Sequence, residues 1–508
     1  MTTVSGPART SWRGVLALAA AVVVVASATG FFRAFTMPGM ESMDSMGSPG
    51  STAGRRLHGM ALADMPEMFV AGAALLLALG AALVLGRTRQ GAVPAVPAVP
   101  AVPAVPAVLP PHTVRGRRTI AVVATAALTI DISKTSTLGF VIPGLRTEYG
   151  IDASTASLLA VSGLSGTALG ALLCSRLAER IGRRACYLLA TLGFTATSMC
   201  GTMPDFGGNV VMCFLMGIAV GGLAPMLITV LSDLFPGPGR GAAVTGLSIL
   251  ATAIGYLVAS GSALWLEPVF GWRVLWLIGA PTGLLLAAAA AVIPDQRSTR
   301  APAAAEDNWL ARNTLTTRLQ WVFAFSIGLT TFGLTTWVPT LSRVGGLSLT
   351  TANALLTGSA VAMVLCAGLL LLGYRRFGPT GVTVRLAVCV AILLLALAVS
   401  GWAVAAPWLS AAVLTVALLG VNTMAAVFLP VAADVADDGL RGRVAGSVSF
   451  FNRLGGLAGP LVLSLLVRSV SEVLVSVALL ALLCGSVAAY TSRRQRVLRK
   501  AAAVRTAA

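Results

Sequence analysis

Runs of about 20 predominantly apolar residues recur roughly fourteen times along the chain. Each is long enough to cross the ~30 Å hydrocarbon core of a bilayer as a helix. In lipid every backbone N–H and C=O must be satisfied within the segment, so runs of this length commit the chain to helices. Composition agrees: 56% of the 508 residues are hydrophobic and 11% charged, too little polar surface for a soluble chain of this size. The expected fold class is an all-α membrane protein.

The cationic residues are sorted by side. When the runs are laid alternately across a membrane, Arg33, Arg55, Arg56, Arg146, Arg273, Arg343 and Arg468 fall on one side. Lys134 and Arg453 fall inside apolar helices, and the rest of the 36 Lys and Arg fall on the other side. That excess marks the cytoplasmic face. The net charge of +18 is therefore a topology signal and not a nucleic-acid-binding surface. Both termini are expected in the cytoplasm, in a multi-pass protein of the cell membrane. No small-residue cleavage site follows the first run, so residues 14–32 read as a retained helix. The seven cysteines all fall in or at the ends of apolar runs and read as small buried hydrophobes.

Residues 1–88 read as a hairpin of two helices, 14–32 and 67–86, with an external loop. In the linker 89–116, residues 92–106 are five Ala-Val-Pro triplets. Proline at every third position excludes helix and sheet and favours polyproline II, a cytoplasmic spacer reaching ~45 Å. A six-helix bundle is expected over 117–293, a cytoplasmic loop over 294–318, a second six-helix bundle over 319–492 and a basic tail over 493–508. The halves repeat: Asp233 precedes Arg240-Gly241 by the spacing with which Asp434 precedes Arg441-Gly442, and Ser248 and Gly255 match Ser449 and Gly456. Parallel repeats with a site between them are a design of secondary transporters.

The loop after the second main-domain helix runs Ser175-Arg176-Leu177-Ala178-Glu179-Arg180-Ile181-Gly182-Arg183-Arg184. It resembles the Gly-x-x-x-Asp-Arg-x-Gly-Arg-Arg pattern of the major facilitator superfamily, with Ser175 and Glu179 as departures. Asp233 to Pro236, Arg240-Gly241, Gly271-Trp272-Arg273 and Pro294-Asp295 resemble the metabolite and sugar-like symporters of that superfamily. The resemblance covers about 117–492 and leaves out the hairpin. It implies alternating access and a cytoplasmic gate of ion pairs formed by Glu179, Arg180, Gly182, Arg183, Arg184, Asp233, Arg240, Asp434 and Arg441. Glu179 would sit against a helix N-terminus of the opposite half, and Asp233 and Asp434 would pair with Arg180, Arg183 or Arg376. Two family features are displaced. Cys213 stands where proton-coupled members often carry Arg before Gly217. The Gly-x8-Gly-x3-Gly-Pro pattern of antiporters lies on the eleventh main-domain helix, as Gly446, Gly455, Gly459 and Pro460, where small residues let helices approach closely.

Three ionisable residues lie deep in apolar helices. Asp131 and Lys134 are three apart on one helix, hence near one face, and Arg453 follows Asn452 on the eleventh. Both helices place these charges ~15–18 Å deep, where a charge costs several kcal/mol unless paired or wetted. Asp131, Lys134, Asn452 and Arg453 are therefore the expected site for substrate and proton coupling. Asp131 would titrate, and the empty site would carry about +1, suiting an organic anion. A purely structural Asp131–Lys134 pair is the alternative.

Met37, Met40, Met43 and Met46 recur every third residue in the external segment, followed by His58 and Met60. Thioethers are soft ligands that select Cu(I), so these six residues are a candidate metal site, and a solvated flexible loop is the alternative. The leading reading is a proton-coupled secondary transporter of a small organic, anionic solute. It needs no cofactor beyond the coupling proton, has the lipid bilayer and the solute as partners, binds no nucleic acid and works as a monomer. Copper or another soft metal as cargo, and a transporter-like scaffold or sensor without turnover, stay open. No nucleophile–base set, metal-ligand helix motif or phosphate loop appears, so an enzyme is not expected.

Overall fold

A computed structural model describes residues 6–36, 57–90, 114–235, 239–295, 303–344, 349–400, 407–436, 440–466 and 470–507. Among these residues the chain is helical with no strand. The elements are α1 (Gly6–Thr36), α2 (Pro66–Gln90), α3 (Val114–Tyr149), α4 (Ala153–Ile181), α5 (Arg183–Thr197), α6 (Phe206–Gly221), α7 (Leu223–Leu234), α8 (Arg240–Trp265), α9 (Glu267–Phe270), α10 (Val274–Leu277), α11 (Gly279–Ala288), α12 (Ala303–Val344), α13 (Leu349–Ser400), α14 (Pro407–Val435), α15 (Arg441–Leu466) and α16 (Val470–Ala507). Nine spans among the described residues are long and apolar enough to cross a membrane. The helices carrying Asp131 and Arg453 are not among them, because charge lowers their hydropathy.

Local chemistry sets the breaks. α6 and α7 form one span interrupted at Gly222. Pro225 has no N–H to return to the preceding turn, so the helix ladder fails there. α13 is two helices, broken at Gly378, whose φ of +71° is left-handed. Gly182, between α4 and α5, has φ of +96°. Both sit in the matching Arg-rich loops of the two halves, and only glycine adopts that backbone freely. Residues 303–318, expected as loop, are instead the first turns of α12, a stretch with three consecutive alanines and no glycine or proline. The basic tail likewise continues as helix in α16.

α3–α11 make the first half and α12–α16 the second. Within the second, α15 lies tightly on α12, as the glycine spacing implied. A Cβ on Gly455 would run into the Phe325 carbonyl, and one on Gly459 would lie 2.7 Å from the Leu329 carbonyl. The hairpin α1–α2 packs on α4, α5 and α11. Arg33 and Glu67 join its two helices at 2.8 Å, and the Leu57 and Met60 amides donate to the Phe270 and Thr202 carbonyls at 3.0 and 2.8 Å. The Ala-Val-Pro linker and Met37, Met40, Met43 and Met46 lie outside the described residues.

At the end of α3 a polar cluster ties the first half together. Arg273, 1% exposed, pairs with Glu148 at 2.7 Å. It also donates to the Tyr149 hydroxyl and to the Gly201 and Met203 carbonyls, while its guanidinium lies over the Trp272 ring. Arg273→Leu strands these acceptors and is expected to destabilise the protein by about 3 kcal/mol, read as a lower melting temperature in detergent. Arg273→Lys should recover little, since an ammonium cannot reproduce the guanidinium fork.

Candidate functional site

The two halves enclose a cavity of ≈ 150 Å³. α3, α4, α7 and α8 supply one wall, and α12, α13, α14 and α15 the other. Most of its lining is apolar, with Leu138, Phe140, Phe332 and Phe428 among it, and its polar side chains include Asp131, Asn422, Asn452, Arg453 and Glu267.

Asp131 and Arg453 meet across the interface. Arg453 Nη2 lies 3.9 Å from Asp131 Oδ2, with Asp131 fully buried. This is an ion pair without a hydrogen bond: neither carboxylate oxygen, nor Arg453 Nε, has a hydrogen-bond partner. Arg453 also lies 5.9 Å from the centre of the Phe332 ring, within cation–π range. Asn452 donates to the Ala324 carbonyl at 3.0 Å, holding α15 on α12.

Lys134 does not join them. Its ammonium donates to the Leu275 carbonyl at 2.8 Å, inside the first half, and it is absent from the cavity lining. Three residues of helix are 300°, so Asp131 and Lys134 point ~60° apart. The cavity edge falls between them, which separates the expected trio and also removes the alternative, a structural Asp131–Lys134 pair. At midplane depth the lining charges are Asp131 and Arg453, which sum to zero instead of +1, while Glu267 lines the cavity apart from them.

One end of the cavity is latched. Glu179, near the end of α4, is held by Arg443 of α15 in a two-point pair, Nε to Oε1 at 2.8 Å and Nη2 to Oε2 at 2.9 Å. Asp233 bridges Arg183 of its own half at 2.6 Å and Arg441 of the other at 2.9 Å. Glu179 thus meets the N-terminal turn of a helix from the opposite half, as expected, through an arginine the motif comparison passed over. Arg443 lies two residues after the repeated Arg441, and that proximity was the available signal. Gly446 allows the approach of α15, since a Cβ there would lie 2.8 Å from Ser175 Oγ. Arg180 is exposed and Gly182 turns the loop. Arg184 donates to the Ile293 carbonyl at 2.8 Å. Arg240 opens α8. Asp434 lies in α14, and its side chain is outside the described residues.

At the opposite end, Glu267 of α9 lines the cavity mouth. Burial pushes its carboxyl up to about 7. It was not picked out from sequence, because it lies in a connection between spans. The metal candidates separate: His58 is exposed, whereas Met60 is buried with Met65 and Met203, against Met68 and Met212. Thr202 donates to the Met65 sulfur at 3.0 Å.

A cavity between two repeated helical halves, latched at one end by ion pairs that join those halves, defines a polytopic carrier architecture. The chain matches the model of the Major Facilitator Superfamily over residues 123–460, and it belongs to that family. It is 32% identical to the 4-hydroxybenzoate transporter PcaK of Acinetobacter baylyi over 33% of this chain and 36% of that one. It is 27% identical to the gentisate transporter of Corynebacterium glutamicum over 65% of this chain and 76% of that one. The match to the first spans only about a third of that transporter's own length. The fold resembles the crystal structure of a D-xylose-proton symporter, with a TM-score of 0.59 and 15% identity, over 73% of this chain and 97% of that one.

The latch makes a direct prediction. Arg443→Ala removes a partly buried bidentate pair worth about 1.4 kcal/mol, or roughly tenfold in the closed-to-open ratio. An Ala178→Cys reporter, which lines the latch region, should then react about tenfold faster with a membrane-impermeant maleimide from that side.

Proposed function

We propose that the protein is a secondary active transporter that takes up a small aromatic carboxylate together with a proton, by alternating access across the cell membrane. The Asp131–Arg453 pair carries the reading. It lies at the interface that alternating access must open, it lacks hydrogen bonds, and it faces a mostly apolar cavity. A volume of ≈ 150 Å³ equals that of an apolar protein cavity that admits a benzene ring. The relatives named for 4-hydroxybenzoate and gentisate, both hydroxylated aromatic carboxylates, support the same solute class.

The charge balance supplies the coupling. In the empty site Asp131 is the counter-ion of Arg453. A substrate carboxylate takes over Arg453 as a charge-assisted partner, and its ring lies among Phe140, Phe332 and Phe428. Asp131 then stays buried without a counter-charge, a state that is costly unless it takes up a proton. Anion and proton entering together leave the site neutral, as it was when empty. Release of both toward the latched side requires the Glu179–Arg443 and Asp233–Arg441 pairs to part. On this reading the latched side is cytoplasmic, the termini lie there, the chain crosses the membrane about fourteen times, and the carrier works as a monomer.

In proteoliposomes, uptake of 4-hydroxybenzoate should follow an imposed pH gradient and be insensitive to a potassium-diffusion potential, because the loaded site carries no added charge. Asp131→Asn should abolish gradient-driven uptake while leaving exchange of internal for external solute. Gradient-driven accumulation persisting in that variant would remove Asp131 from the coupling.

A second reading, soft-metal cargo, is supported by the five methionines Met60, Met65, Met68, Met203 and Met212 packed together beside the hairpin. It predicts that the purified protein competes with a Cu(I) chelator at micromolar metal and that Met65→Leu with Met203→Leu removes the competition.

A further inference from the structure

We infer that Glu267 is a charge filter at the mouth of the central cavity, admitting anionic solutes when protonated and rejecting them when ionised. The filter follows from the geometry of the mouth. That the anion is an aromatic carboxylate rests on the function proposed above.

Placement carries the inference. Glu267 begins the four-residue α9, in the connection between two spans, yet it lines the same cavity as Asp131 and Arg453. Pro143 lines the cavity too, and it stands twelve residues further along α3 than Asp131, a rise of ~18 Å. The cavity therefore runs from the ion pair at midplane depth to the membrane edge, and a carboxylate stands at the outer end of that path.

Among the described residues no charge offsets that of Glu267, and desolvation alone acts on its carboxyl. The other titratable side chains lining the cavity are Asp131, Arg453 and Tyr256. The first two lie at its deep end. α8, packed beside α9, contributes Tyr256, and α10 contributes only Val274, Leu275, Trp276 and Leu277, none titratable. The cation closest in sequence, Arg273, is committed to Glu148. Burial pushes the Glu267 carboxyl up to about 7, within the range of ordinary surroundings. The sign follows. Below that pH the mouth is neutral. Above it a negative charge stands in a cavity with mostly apolar walls, which lowers the local concentration of anions and raises that of cations. A carrier that moves its anion with a proton would thereby admit solute on the side and at the pH where the gradient favours uptake.

The test needs no substrate. In vesicles carrying a Ser136→Cys reporter, which lines the cavity, the rates of modification by an anionic and a cationic methanethiosulfonate are compared between pH 6 and 8. Protein lacking the reporter serves as blank. Taking the ratio of the two rates cancels the ionisation of the thiol itself. The anionic-to-cationic ratio should fall about tenfold across this range, with its midpoint near 7. It should be flat when Glu267→Gln is added and regain its pH dependence with Glu267→Asp. A flat ratio with Glu267 intact, or the same fall in the Glu267→Gln protein, overturns the inference. Uptake of labelled 4-hydroxybenzoate by the same vesicles tests the other reading separately. If the ratio titrates through Glu267 but no aromatic acid enters, the solute assignment fails and the filter stands.

Discussion

Everything in this molecule turns on one loose contact, the 3.9 Å approach of Arg453 to Asp131. Each charge, alone at that depth, would cost several kcal/mol. Together they are tolerable, and the pair spans the interface between the two halves. Tight, fully hydrogen-bonded geometry would weld that surface. A pair held by Coulomb attraction, with both carboxylate oxygens lacking hydrogen bonds, keeps the site neutral while leaving each member free to change partners.

The ends of the cavity answer to different chemistry. The latched end uses charge-assisted, two-point hydrogen bonds in partly solvated surroundings, where breaking them is affordable within a transport cycle. The packing that brings those ends together is built from glycine. Gly446 lets α15 reach α4, while Gly455 and Gly459 let it lie on α12. One helix thus carries Arg453, both latch arginines of its half and the small residues that let it approach both neighbours, so a shift of α15 acts on cavity and latch at once.

Much of this was legible in the sequence. Helical composition, the repeat of Asp-to-Arg-Gly spacing, and the deep placement of Asp131 and Arg453 follow from hydropathy and position along the apolar runs. What failed was angular and tertiary. Lys134 shares a helix face with Asp131 only to within ~60°, and sequence spacing cannot say where a cavity wall will cut that arc. Arg443 was passed over because the motif ends before it, although its position two residues after Arg441 was there to be used. Glu267 lies in a short connection whose fold back over the cavity no periodicity encodes. Met60, read with solvent-facing thioethers, is buried because the hairpin loop pairs its backbone with Thr202.

The N-terminal hairpin has a mechanical consequence. At one end its loop is bonded to Phe270 and Thr202, and at the other Gly86 abuts the Arg180 carbonyl, 2.9 Å from where a Cβ would stand. It is therefore riveted to the first half at both of its ends and adds two helices with exposed apolar side chains, among them Leu18, Val25, Phe32, Phe69 and Leu76, to that half. Viscous drag in a bilayer grows with embedded perimeter. Under the alternating access proposed above, the half bearing the hairpin would be the stator, and the second half, with its lighter hull, the rotor that swings past it.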